Sequence, residues 1–287
     1  MEVAILLALA SGATWAIGMT AAKPALRHID TLSYMLRRWL LVTPLALLYA
    51  VITGTLSFPN GYAVLLAILA GFLDAALGGL FYLMAMERTP AYQTTTLSST
   101  TPLWGVTTAI LILGEPARWE ILVAAVLVVS GAYFLLPTRR VNLRGHVTGS
   151  LFALLTGFLW GFAETVPSKL ALQQGLPPAS LLFLFSCSAV ASIALMTPFL
   201  RRRFPRYIDR TGLALTVLGG VGGAYLGWIF WLSSLSRAPA SLISPVRGST
   251  LVFALIYSVL FLRERLTKRA LLGAALILGG VLLVSLG

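Results

Sequence analysis

Apolar runs of about twenty residues follow one another along the chain, separated only by short polar breaks. A bilayer core is crossed by roughly 20 apolar residues in a helix. The runs therefore predict an all-α integral membrane protein, with spans near 3–22, 33–53, 61–86, 90–113, 118–137, 147–171, 179–200, 211–235, 239–262 and 268–286. Ten spans and their loops use nearly all of the 287 residues, which leaves no room for a soluble domain. Composition agrees, with only 10% charged residues against about 25% in a soluble domain. The first run begins at Val3 behind Glu2, with no basic leader and no clear cleavage site. It reads as a spanning helix and not as a removable signal peptide.

The chain is predicted to repeat itself. A shift of 149 residues lays Gly71 on Gly220, Phe81 on Phe230, Arg88 on Arg237, Pro90 on Pro239, Ala91 on Ala240, Glu115 on Glu264 and Gly131 on Gly280, without a gap. A shift of 145 lays Gly12 on Gly157, Trp15 on Trp160 and Thr20 on Thr165. Glycine matches are cheap in such a composition, whereas Arg-x-Pro-Ala and Glu matches in one register are not. The expected organisation is a first five-helix repeat at 1–137, a basic cytoplasmic linker at 138–146 and a second five-helix repeat at 147–287. Five is odd, so the two halves would cross the membrane in opposite senses.

Charge supports that inversion independently. Of the 21 Lys and Arg, all but Arg118, Arg237, Lys169 and Arg247 fall in loops 1–2, 3–4, 5–6, 7–8 and 9–10, among them Arg37 and Arg38. Basic loops stay in the cytoplasm, which puts the odd-numbered loops inside and both termini outside a cell (inner) membrane. The net charge of +12 thus belongs to membrane topology and not to nucleic-acid binding. Inverted repeats are the signature of secondary transporters, whose substrate sits near the midplane between the halves.

The repeated patterns resemble a known family. Each half opens on a Gly/Trp pattern, Gly12-Ala13-Thr14-Trp15 and Gly157-Phe158-Leu159-Trp160, and carries Arg-x-Pro-Ala before its fourth helix. Each has a Glu before its fifth helix (Glu115, Glu264) and a Gly-rich last helix (Gly131; Gly273, Gly279, Gly280). Together they resemble the drug/metabolite transporter superfamily of the ten-helix EamA type, over essentially the whole chain. The resemblance implies a central cavity lined by the first, third and fourth helices of each half. It also implies export of small metabolites such as amino acids, including aromatic ones. A channel or facilitator for small polar solutes, or a transporter of other metabolites or cationic drugs, stays open at this point.

The candidate site residues are the polar and aromatic groups inside the spans. A charge at the bilayer centre costs roughly 2.5–3.5 kcal/mol on insertion scales, so Asp74, Glu164, Lys169 and Arg247 call for an explanation. In the functional reading Arg247 meets a substrate carboxylate, and Asp74 or Glu164 meets an amine or a proton. In the plain reading they pair as buried glue, and Lys169 snorkels to the interface. The hydroxyl-rich, proline-bearing fourth and ninth helices suggest a cavity face with Gln93, Ser98, Ser244 and Arg247. Helix packing alone accounts for many such hydroxyls. Trp15 and Trp160, at equivalent mid-helix positions, could sandwich a flat side chain, with Tyr82 and Trp104 as further aromatic contacts. Glu115 and Glu264 read as caps of the helices they precede.

Other chemistries find no support. Cys187 stands alone, and the two histidines, His28 and His146, lie in predicted loops. That offers neither a metal cluster nor a nucleophile with its base, so no enzyme and no cofactor are expected. No Gly-x-x-x-x-Gly-Lys-Ser/Thr loop is present for ATP. The expected partners are a small-molecule substrate and the lipid bilayer, without nucleic acid, for a monomer or weak oligomer.

Overall fold

The computed structural model describes residues 1–89, 94, 97–134, 147–199, 209–262 and 267–286, and the regular structure among them is helical. The 138–146 linker, Gln93 and Glu264 lie outside the described residues. Helices α1 (Glu2–Ala25) and α2 (Thr31–Ile52) are followed by α3 over 61–88, which contains a π-helical stretch at Phe72–Gly78. Then come α4 (Thr101–Leu113), α5 (Trp119–Phe134), α6 (Val147–Gln173) and α7 (Pro178–Phe199). Helix α8 over 210–235 has its own π-helical stretch at Leu218–Tyr225, α9 is divided into Ala240–Arg247 and Ser249–Leu262, and α10 is Lys268–Leu286. Among the described residues, seven helices are long and apolar enough to cross a membrane, while α4 and α5 are apolar but shorter.

Short polar side chains set where helices begin. The carboxylates of Asp30 and Asp209 and the amide oxygen of Asn60 accept from the N–H groups of Ser33, Gly212 and Ala63 at 3.0, 2.7 and 2.8 Å. Each satisfies a donor that the first helical turn leaves open. At the other end of α4, Gly114 adopts φ +69°, a left-handed conformation that stops the helix. Asp30 starts α2 early enough that Arg37 and Arg38 stand two turns inside it. The sequence reading had counted both as loop residues, and the structure corrects this.

The Asp209 carboxyl is held below the ordinary carboxylate range, first by the Gly212 N–H and then by His28, whose Nδ1 lies 2.7 Å away. A depressed carboxylate contributes stability above its unfolded pKa and loses it as pH falls through the folded value. The thermal midpoint should therefore drop on acidification below about pH 4. Asp209→Asn, which still caps but does not titrate, should flatten that drop in a melting series against pH.

Helix α1 packs on α8 and α9, and α6 packs on α3 and α4. Helices α2 and α7 lie together, α2 also touching α8 and α7 also touching α3, while α4 meets α9 and α5 meets α10. Exchanging α1–α5 for α6–α10 reproduces this set of partners. The correspondence extends to atoms. The Ser11 hydroxyl donates to the Gly227 carbonyl at 2.8 Å, and the Thr156 hydroxyl donates to the Gly78 carbonyl at 3.3 Å. Trp15 lies on Gly227 and Trp160 on Gly78. Gly131 faces the Gly273 carbonyl and Ile277, and Gly280 faces the Ala124 carbonyl and Val128. Small residues at these crossings let the backbones approach closely, which is how helices associate where no hydrophobic effect operates between them.

Candidate functional site

Three of the four charges found inside apolar runs, Asp74, Glu164 and Arg247, come near one another where α3, α6 and α9 meet. Asp74 stands in the π-helical stretch of α3 and is 7% exposed; Glu164 on α6 is 3% exposed. Arg247 ends the first segment of α9, between Pro245 and the break at Gly248, where a cation also favours the helix C-terminus. Its guanidinium grips Glu164 as a fork: Nη2 donates to Oε1 while Nε faces Oε2. The same guanidinium lies over the Trp15 ring, 4.8 Å from its centroid. Asp74 is within electrostatic reach of Glu164, Arg247 and Arg38, and its Oδ2 is buried without a hydrogen-bond partner among the described residues.

Two indoles fix the backbone on which these carboxylates ride. Trp160 Nε1 donates to the Asp74 carbonyl at 3.1 Å, and Trp231 Nε1 donates to the Glu164 carbonyl at 3.0 Å. Trp15 packs against Trp228 and Trp231, both with ring centroids 5.8 Å away. Trp160 packs against Tyr82 at 5.4 Å. Trp15 and Trp160 thus belong to separate aromatic clusters, each seated on the opposite half, where the sequence reading had envisaged a facing pair.

The remaining candidates make packing contacts. Ser98 is buried, and its carbonyl accepts from the Thr101 hydroxyl at 2.8 Å beside Gly157. Trp104 meets Phe158 edge-on with centroids 5.4 Å apart. The Ser244 hydroxyl donates to the Ala240 carbonyl at 2.7 Å, within its own helix, and lies against Gly105. A small apolar cleft opens between α2, α3 and α7, lined by Leu32, Met35, Leu80, Leu83, Ile193 and Met196.

Lys169 and Glu115 have definite partners at the turn between α8 and α9. Lys169 Nζ donates to the carbonyls of Leu235 and Ala238 at 2.6 and 2.8 Å. It closes the end of α8, its charge meeting the backbone of the turn that leads into α9. The Glu115 carboxylate accepts from the N–H groups of Ala240 and Ser241 at 2.8 and 2.7 Å. It therefore caps α9 of the other half and not α5, the helix it precedes. Glu115→Gln removes the charge from two charge-assisted bonds. It should lower the unfolding free energy in detergent by about 1–3 kcal/mol, as read from denaturant unfolding followed by Trp fluorescence.

Helices that cross a bilayer, a polar cluster buried between them and a repeated packing scheme describe a multi-pass membrane transporter. The chain belongs to the EamA-like transporter family, whose model matches residues 2–136 and 147–286. An uncharacterized transporter from Archaeoglobus fulgidus is 23% identical over 289 residues, covering 98% of each chain. A crystal structure superposes with a TM-score of 0.84 over 100% of this chain and 97% of that one, at 16% identity, which is a likeness of fold.

Proposed function

We propose that this protein is a secondary transporter of small metabolites such as amino acids, exporting them by alternating access around the cluster of Asp74, Glu164 and Arg247. In this reading ten spans form two inverted five-helix repeats, with basic loops in the cytoplasm and both termini outside an inner membrane. The observation that carries the reading is the buried charge between the halves. Groups this costly in hydrocarbon face a bundle interior or a wet path and mark substrate or ion routes. The exchangeable set of helix contacts supports the repeat, as do the two separate stretches, 2–136 and 147–286, that match the family.

The cluster also supplies what coupling to a proton gradient needs. Two buried carboxylates share the neighbourhood of Arg247: Glu164 is ion-paired with it, and Asp74 Oδ2 has no hydrogen-bond partner among the described residues. Proton binding there would change the net charge of the path between the halves. In proteoliposomes under an imposed pH gradient, Asp74→Asn or Glu164→Gln is expected to abolish accumulation of labelled amino acids while downhill flux persists. Unchanged accumulation in both variants would remove the carboxylates from the coupling step.

A further inference from the structure

We propose that Glu115 and Lys169 form the gate of the transport path at the end of the bundle where α4 stops and α9 begins, and that the turn between α8 and α9 is the part that moves. The inference rests on the transporter reading and deepens it by naming what closes one side of the path and what lets it open.

Apart from the α5–α10 pair, packing divides the bundle into two clusters that cut across the order of the sequence. Helix α1 lies on α8 and α9, with α2 against α8; α6 lies on α3 and α4, with α7 against α3. The clusters meet along α2 and α7 and along α4 and α9, and more lightly where α6 touches α8 and α9 and where α7 touches α8. Glu164 on α6 reaches across this boundary to Arg247 on α9. Lys169, further along α6, and Glu115, which follows α4, reach across it to the α8–α9 turn. From Ala240 to Arg247 the first segment of α9 runs for about 10 Å. The turn therefore lies between the ion pair and the end of the bundle, the end that faces outside in the proposed topology.

The turn depends on the other cluster at both of its ends. Helices α2, α3 and α8 start on their own Asp30, Asn60 and Asp209, whereas α9 starts on Pro239 and has no side-chain cap of its own. The Glu115 carboxylate supplies one, taking the N–H groups of Ala240 and Ser241, while Lys169 Nζ takes the carbonyls of Leu235 and Ala238. Ser236 and Arg237 at the tip of the turn are exposed, and Leu235, Ala238, Ala240 and Ser241 beneath it are buried. A buried polar group left without a partner is costly, so a turn held in this way stays shut. Release is nonetheless within reach, because the groups that let go are a carboxylate and an ammonium carried by one cluster. In the closed state they hold Ala240 N and Ala238 O, close together on one turn, and they satisfy each other once the turn swings away. The freed backbone groups of the turn then meet water at the end of the bundle. One set of charge-assisted bonds is exchanged for another, as a contact with two discrete arrangements requires.

The test uses the full chain purified in detergent and carrying Cys187→Ser, so that a single introduced cysteine reports. Ser241→Cys is placed under the turn, where Ser241 is fully buried and its hydroxyl has no partner among the described residues, so the exchange breaks no side-chain bond. The rate at which it reacts with a water-soluble maleimide reads how often the turn opens. Ser234→Cys is the control: Ser234 is equally buried near the same end of α8, but its hydroxyl donates to the Ala4 carbonyl of α1, inside the first cluster. Glu115→Gln or Lys169→Met is expected to speed labelling of Ser241→Cys by about 10–100-fold, the value of a charge-assisted bond, and to leave Ser234→Cys as slow as before. Glu115→Asp keeps the charge but falls one methylene short of the two N–H groups. It gives a smaller rise, which preserves the readout if the Gln variant fails to fold. An equal rise at both cysteines would reveal a cap that only holds the fold together, and no rise at Ser241→Cys would reveal a turn that does not move; either result overturns the gate. The labelling needs no substrate, so its outcome is separate from that of the transporter reading, which flux decides.

Discussion

Arg247→Met should unfold the protein or bring it to the edge of unfolding, and adding Glu164→Met should restore it. The single substitution leaves Glu164, 3% exposed, as a buried carboxylate without its cation. Removing one member of a buried pair costs about 3–5 kcal/mol, while replacing both with apolar groups of similar volume is often neutral or stabilising. Against a total stability of about 5–15 kcal/mol, the single variant should show as lost monodispersity and a much lower melting temperature. The double variant should melt near the wild type and transport nothing. That dissociation matters because the pair joins α6 to α9 and also walls the proposed path. A double variant as unstable as the single one would mean that the pair is not the origin of the cost.

Gly71→Ala should destabilise far more than Gly220→Ala, although the two glycines are register partners in the sequence. A Cβ on Gly71 would strike the backbone of Phe185 at its carbonyl oxygen, carbonyl carbon and Cα, and backbone cannot move aside. On Gly220 the same atom would meet Leu41 Cδ1 at 3.3 Å and Arg38 Cγ at 3.5 Å, with the Arg38 carbonyl also at 3.5 Å, a slightly tight contact. Overpacking a close crossing typically costs about 1–3 kcal/mol, occasionally more. Gly71→Ala belongs at or above the top of that range and Gly220→Ala near or below its bottom. Denaturant unfolding of the two variants side by side measures the difference.

That contrast marks how far the sequence could be read. Asp74, Glu164 and Arg247 stood out because a charge in an apolar run has few innocent explanations, and the structure gathers them between the halves. The matches of Gly131 with Gly280 and of Trp15 with Trp160 named positions that do make corresponding contacts. What each contact consists of was not legible. Glu115 takes its backbone partners from 125 and 126 residues away, and Trp15 finds Trp228 and Trp231 on α8, pairings that no local pattern encodes. Arg38 was hidden by the pattern that exposed the others. It stands two turns inside α2 beside Arg37, where the charge bias expected of loops accounts for it too readily. The π-helical stretches at Phe72–Gly78 and Leu218–Tyr225 were not legible either, since each lies inside a continuous apolar run whose spacing reads as ordinary helix.

The most direct test of the central claim is counterflow in proteoliposomes loaded with unlabelled amino acids and exposed to a trace of labelled ones. A binding site between the halves, open to one side at a time, predicts a transient overshoot of label, saturation with external concentration and competition by unlabelled substrate. The Glu164→Met/Arg247→Met protein should fold and show none of these. Flux that rises linearly with concentration, ignores competitors and gives no overshoot would contradict the account and identify a channel.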